Sequence, residues 1–320
     1  MFASSLPDKT FFQICLIVDD CERFAANYRE ILGFDVPHDY QITELYEHTR
    51  GTYYGQPLNA RAKIISWMLG DVAFELLEPL DAPSVWMDHL KKHGSSLHHI
   101  AFNVPRSAPA AAYFADHGYQ TTQAGLFTGR TGMYTYLDTE KDLGLTMELL
   151  EIYSDFRFPP AQPFPADRGL GTDVVMQVGL VVNDCEATGK RYRELFGIEE
   201  AFRTETPAYA ITETKFFGQP TEATAKLIFF NFGQAQLELI QPDSIPSVWR
   251  NYLNEHGDSA HHIAFVVKDT QQAVAHFAKF GIGVAQQGFY GDRSGMYTYM
   301  DSQEKLGVIF ELLENFPQPR

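Results

Sequence analysis

The chain has 320 residues, enough for two domains of ordinary size, each with its own core. Hydrophobic residues make up 45% and charged residues 21%, a globular profile rather than a disordered one. A net charge of −16, from 41 acidic and 25 basic residues, repels nucleic acid and anionic membranes and sets both aside as partners, and no apolar run approaches the ~18 residues of a membrane span.

The opening stretch, MFASSLPDKTFF, has no basic region followed by an apolar core and does not read as a signal peptide. Gln13-Ile-Cys-Leu-Ile-Val then reads as a strand. A helix follows, with Asp19 and Asp20 as N-caps and a stop before Gly33. Lys63–Leu69 and Val72–Glu78 have strand pattern, and Ser84 to His93 reads as a helix. His99-Ile-Ala-Phe-Asn-Val repeats the character of the first strand. It too is followed by a helix, from Ser107 to just before Gly118, and by strand-like segments at Met133–Asp138 and Leu145–Glu151. The order is βαβββ, twice.

The same text then returns. HHIAF at 98–102 recurs at 261–265, GMYTY at 132–136 recurs at 295–299, ELLE at 148–151 recurs at 311–314, and SVW at 84–86 recurs at 247–249, all at one offset. Near the N-terminus the offset grows by one residue, so that Gln13 matches Gln177 and Cys21 matches Cys185. Pro246 to His256 is the counterpart of the Ser84–His93 helix. Between the halves, Pro159, Pro160, Pro163 and Pro165 mark a stiff linker. The expected organisation is a domain over 1–152, a Pro-rich linker over 153–174 and a second domain over 175–320. Cys15, Cys21 and Cys185 are too few and too scattered for a disulfide framework, and a reducing cytoplasm is the expected compartment.

Alternation along a strand assigns side chains to faces. Phe12, Ile14 and Leu16 should face the helices, with Gln13, Cys15 and Ile17 opposite. Phe74 and Leu76 leave Glu75 opposite, and Met147 and Leu149 leave Glu148 opposite. His98 shares the apolar face of Ile100 and Phe102, which puts His99 on the other side. Four strands thus direct Gln13, Glu75, His99 and Glu148 to one concave face, and the second half repeats this with Gln177, Glu238, His262 and Glu311. Taken singly, a strand-borne Gln or Glu is ordinarily solvated or hydrogen-bonded. It is the set of four on one face, occurring twice, that points to a metal. One imidazole, two carboxylates and an amide oxygen suit Zn²⁺, Ni²⁺, Co²⁺, Mn²⁺ or Fe²⁺ with positions left open for substrate. The residues two beyond the Gln or His are small, namely Cys15, Ala101, Gly179 and Ala264, which leaves room for a ligand. Cys15 reads as a small buried residue, and His98 and His261 as packing or hydrogen-bonding on the helix side. Cys21 and Cys185 open helices, where packing is their expected role.

These residues resemble the vicinal oxygen chelate superfamily, which includes glyoxalase I and methylmalonyl-CoA epimerase, over almost the whole chain except linker and tails. The resemblance implies an α+β fold of four βαβββ units forming two cupped-sheet, glyoxalase-like domains in tandem, with one ligand from each of four strands. The order Gln, Glu, His, Glu looks like zinc glyoxalase I. The SxW helix, the HGxxxHHIAF segment and the late LG…ELLE strand look more like the epimerase. That enzyme usually has His first and Gln second, and a base where this chain has Lys63 and Lys226. The implied activity is metal-dependent proton transfer next to a carbonyl, by an isomerase, epimerase or lyase, with Glu148 and Glu311 as the metal-bound bases. Acyl-thioesters are among the candidate substrates, and a homodimer is compatible with this reading. Two alternatives stand beside it. An extradiol ring-cleaving dioxygenase shares the size and architecture but holds iron by two His and one carboxylate, and here the first position is Gln in both halves. A metal-free binding protein of the bleomycin-resistance type shares the fold. Weaker substrate candidates are Lys63 and Lys226, Tyr134 and Tyr297 with their neighbours Tyr136 and Tyr299, and Arg130 and Arg293 in the matched loops GRTG and DRSG.

Overall fold

The computed structural model describes residue 6 and residues 8–153 and 163–317. The chain divides into two compact units, one of Met1–Ala26, Asp35–Ala161 and Arg191–Ile198, the other of Asn27–Phe34, Gln162–Lys190 and Glu199–Arg320. Pro159 and Pro160 of the expected linker lie outside the described residues. No helix is long and apolar enough to cross a membrane.

In the first unit, Gln13–Ile17 and Ser96–Asn103 pair antiparallel at the middle of the sheet. Each also runs parallel to the last strand of its own βαβββ unit: Gln13–Ile17 to Val72–Pro79, and Ser96–Asn103 to Thr146–Ile152. A parallel pair needs a crossover, and the helices Cys21–Leu32 and Ser107–Asp116 provide it. Ala62–Leu69 and then Gln41–Ile42 extend one side, and Gly132–Leu137 and then Thr121–Leu126 extend the other. The second unit has the same order, with Val175–Val181 and Ser259–Val266 at its centre. The expected α+β architecture of paired βαβββ units is therefore present in both halves.

The sorting of faces follows the sequence pattern over most of these strands. Ile14, Leu16, Phe74, Leu76, Ile100, Phe102, Met147 and Leu149 are all fully buried, and each such side chain contributes about 1.5–3 kcal/mol relative to exposure. A separate apolar cluster occupies the opposite, concave face and includes Cys15, Ala101, Leu150, Trp86, Tyr134 and Tyr136. The helix Val85–His93 covers part of it. Ser84 caps that helix by accepting from Met87 N at 3.1 Å, and Gly94, at φ 69, ends it. Ser247 caps the matching helix Val248–His256 in the same way.

Two expectations about faces fail. Alternation would put Phe12 on the helix side with Ile14, but it lines the concave side, and Phe11 instead meets Phe102 edge-on at 5.7 Å. The strand begins only at Gln13, so alternation does not govern the residues before it. The second failure is His98. Cys15 pairs with His99 but Leu16 pairs with Leu97, leaving His98 as the extra residue of a β-bulge. The bulge breaks the alternation and turns His98 toward Tyr136 and His89 rather than onto the face of Ile100. His261 is the extra residue of the same bulge in the second unit, between His262 and Ala260.

Candidate metal centre

Strand register brings the ligand candidates into two adjacent rows. In the first unit Glu75, Cys15 and His99 lie side by side on neighbouring strands, and Gln13, Ala101 and Glu148 form the next row. Cys15 Sγ, a Glu75 carboxylate oxygen and a His99 ring nitrogen all lie within 4.8 Å of one another. His99 Nε2 faces Glu148 Oε2 at 3.0 Å. The Cys15 thiol donates to the Leu16 carbonyl at 3.6 Å.

In the second unit the rows are Glu238, Gly179, His262 and Gln177, Ala264, Glu311. His262 Nε2 collects the whole set: Glu311 Oε2 at 3.1 Å, Glu238 Oε2 at 3.4 Å and Gln177 Oε1 at 3.4 Å. Gly179 makes this packing possible. A Cβ at that position would lie 1.9 Å from His262 Cε1, so the ring occupies space that any side chain would need.

The bulge gives each candidate ligand histidine a partner. His98 Nδ1 lies 2.8 Å from His99 Nδ1, and His261 Nδ1 lies 3.0 Å from His262 Nδ1. One nitrogen of each pair must donate and the other accept. If His99 is to offer the Nε2 lone pair, its Nδ1–H donates to His98, and the same logic holds for His262 and His261. Burial keeps His98 and His261 well below the ordinary imidazole range and pushes His99 down to about 3, so His98, His99 and His261 are neutral at pH 7. Such outer partners fix the tautomer and orientation of a ligating ring.

The donors fit a divalent cation. His99 Nε2, Glu148 Oε2, Glu238 Oε2 and Glu311 Oε2 are buried and lack a hydrogen-bond partner. Burial, with the nearby Glu148 adding to it, pushes Glu75 up to about 8, and burial pushes Glu148 up to about 8. Burial and the Glu311 carboxylate also raise Glu238. Acceptors of one charge sign held together away from water are costly unless protonated or matched by a cation. Imidazole, carboxylate and amide oxygen are ordinary ligands for Zn²⁺, Mn²⁺, Fe²⁺ and their neighbours.

Beside the first set lies a cavity of about 350 Å³, lined by Gln13, Glu75 and Glu148 together with Phe12, Ser66 and Trp86 among others. Tyr134 and Tyr136 also line it, and Trp86 Nε1 donates to Tyr136 Oη at 3.1 Å. Tyr297 and Tyr299 hold the matching places in the apolar cluster of the second unit. Lys63 and Arg130 do not line this cavity. Lys63 Nζ is engaged by Glu22 at 2.8 Å and Glu78 at 3.2 Å, and Lys226 is exposed. Arg130 Nε donates to the His48 carbonyl at 3.1 Å, and Arg293 pairs with Glu213 at 2.6 Å. Sequence reasoning missed the place of Cys15 in the ligand row and of Ser66 in the cavity wall. The unlike pairs Cys15/Gly179 and Ser66/Phe229 were the available signals, but their meaning depends on strand pairing.

Comparison with known proteins agrees with this architecture. The family model of the glyoxalase/bleomycin resistance protein/dioxygenase superfamily matches residues 12–136 and again residues 176–299. No curated protein matches the sequence. Among solved structures, a mutant of 4-hydroxymandelate synthase from Streptomyces coelicolor is similar with a TM-score of 0.61 at 13% identity, covering 98% of this chain and 95% of that one. A 2,2′,3-trihydroxybiphenyl 1,2-dioxygenase from the dibenzofuran-degrading Sphingomonas wittichii strain RW1 is similar with a TM-score of 0.55 at 16% identity, covering 96% and 91%. BphC, a halotolerant catechol dioxygenase, gives 0.50 at 14% identity, covering 96% and 87%. At such identities these likenesses speak to the fold.

Proposed function

Because the chain belongs to the glyoxalase/bleomycin resistance protein/dioxygenase superfamily, we propose that it is a divalent-metal-dependent enzyme that moves a proton at the carbon next to a carbonyl group. The observation that carries this reading is the convergence of Gln177, Glu238 and Glu311 on His262 Nε2. Gln13, Glu75, His99 and Glu148 are the corresponding ligands proposed for the first unit. A divalent ion held there would supply Lewis acidity toward a substrate oxygen.

The remaining work falls to the chain's own groups. Glu148 and Glu311 are the proposed bases: an Oε accepts the α-proton and returns it to the neighbouring carbon, giving isomerisation, while epimerisation would need a second group on the opposite face to supply the proton. In the first unit Trp86, Tyr134 and Tyr136 close the cavity with aromatic surface, which keeps water from the carbanionic species and orients the substrate. The cavity's size suits a small molecule.

The test is exchange of an α-proton with D₂O, dependent on added metal, across a panel of 2-oxo, 2-hydroxy and acyl-thioester compounds. With a substrate in hand, the Glu148→Gln, Glu311→Gln double variant should retain its fold and lose at least ~10²-fold in exchange rate, the scale of general acid–base catalysis. Exchange at the wild-type rate would remove these glutamates as bases. A second reading, an oxygenase, is supported by the tandem-unit length shared with the dioxygenase structures. Iron-dependent oxygen uptake in place of proton exchange would establish it.

A further inference from the structure

The two ligand rows differ at their centre, and the difference is chemical. Between Glu75 and His99 in the first unit stands Cys15; between Glu238 and His262 in the second stands Gly179. Cys15 is fully buried, its thiol donates to the Leu16 carbonyl at 3.6 Å, and Sγ lies within 4.8 Å of a Glu75 carboxylate oxygen. It is no neutral filler, because in the second unit the equivalent space holds the imidazole itself, with His262 Cε1 1.9 Å from where a Cβ would be. A side chain at position 15 therefore requires a different seat for His99. Accordingly His99 Nε2 pairs with Glu148 among the described carboxylates, whereas His262 Nε2 reaches both Glu238 and Glu311. His99 Nε2 and Glu148 Oε2 are both buried and lie 3.0 Å apart without hydrogen-bond geometry, and a His99 ring nitrogen lies within 4.8 Å of both Sγ and a Glu75 carboxylate oxygen.

We propose that Cys15 is itself a metal ligand, so that the first unit holds a thiolate–carboxylate–imidazole centre for an ion of borderline softness such as Zn²⁺ or Co²⁺, while the second unit holds a centre of oxygen and nitrogen donors only. The inference rests on the reading of both units as metal centres. On binding, the S–H bond would break, the proton would leave to solvent by way of the neighbouring Glu75 carboxylate, and a sulfur–metal bond would form, with no change of oxidation state. A soft thiolate beside hard oxygens selects Zn²⁺ and Co²⁺ over Mg²⁺ and Mn²⁺. The two halves would then differ in metal preference within one chain.

The experiment is Co²⁺ titration of the metal-stripped full-length protein, followed by absorption. Wild type and His262→Ala should both show a thiolate-to-cobalt charge-transfer band in the near ultraviolet. Cys15→Ser keeps the side-chain size, and it should lose that band while retaining the weaker visible bands of cobalt in the second unit. Cys15→Gly, which reproduces the second half's residue, should also lose it. Cys21→Ser should keep it, because Cys21 Sγ donates to the Lys63 carbonyl at 3.5 Å, outside the row. Cys15→Ser should also weaken Zn²⁺ binding by the first unit at least ~10-fold. Cobalt bound by both units of wild type without a charge-transfer band, or a band that survives Cys15→Ser, overturns the role of Cys15 and leaves the two metal centres standing. Failure of any cobalt to bind overturns both.

Discussion

The first and second units place the same four candidate ligand types on corresponding strands, and among the positions beside those candidates where they diverge, two stand out. In the second unit Gly179 lets the His262 ring settle over the strand, where it meets both carboxylates and the amide. In the first, Cys15 fills that space beside Glu75, and His99 Nε2 meets Glu148 at 3.0 Å. The other divergence sits opposite the first glutamate. Ser66 pairs with Glu75 and borders the cavity, whereas Phe229 pairs with Glu238, is buried and stacks on Phe202 at 4.0 Å. Duplicated candidate ligands therefore do not give duplicated surroundings. The residues between and beside the ligands decide how closely the donors gather and how much room a substrate has.

The comparison breaks most readily at the histidines. His262→Ala should remove the ion of the second unit and His99→Ala that of the first, each lowering the metal content found by elemental analysis by one ion per chain. A single variant that empties both units would mean that the halves do not bind independently.

A smaller effect is expected at Gly179. The added methyl of Gly179→Ala meets the His262 ring, so the ring must leave its seat. This should cost about 1–3 kcal/mol of stability and most of the second unit's metal affinity. Unchanged thermal unfolding together with unchanged metal binding would show that the Cys15/Gly179 difference does not set the two centres apart.

Ser66→Phe tests the other divergence. Placing a phenyl ring at this cavity wall should weaken small-molecule binding by that unit at least ~10-fold, about 1.4 kcal/mol, with metal content unchanged. Calorimetry showing undiminished binding would place the substrate elsewhere. Away from the sites the halves should behave alike. Ser84→Ala and Ser247→Ala each remove one helix cap and should cost about 1 kcal/mol in urea unfolding, equally in both units.

Repetition, element order and most face assignments were legible in the amino-acid sequence, because each depends on local periodicity. Alternation placed Glu75 and Glu148 opposite buried Phe74 and Met147, and duplication made the pattern of four too regular for chance. What the sequence could not carry depends on which residue stands across from which. The bulge that swings His98 to His99 exists only because Leu16 pairs with Leu97 after Cys15 has paired with His99. Lys63 is drawn away from the cavity by Glu22 on a helix and Glu78 on the neighbouring strand, a choice made by packing partners distant in sequence. The place of Cys15 between Glu75 and His99, and of Ser66 beside Glu75, likewise follows from strand register. Periodicity along one strand fixes the direction of a side chain, but register between strands fixes its neighbours, and a metal or substrate responds to the neighbours.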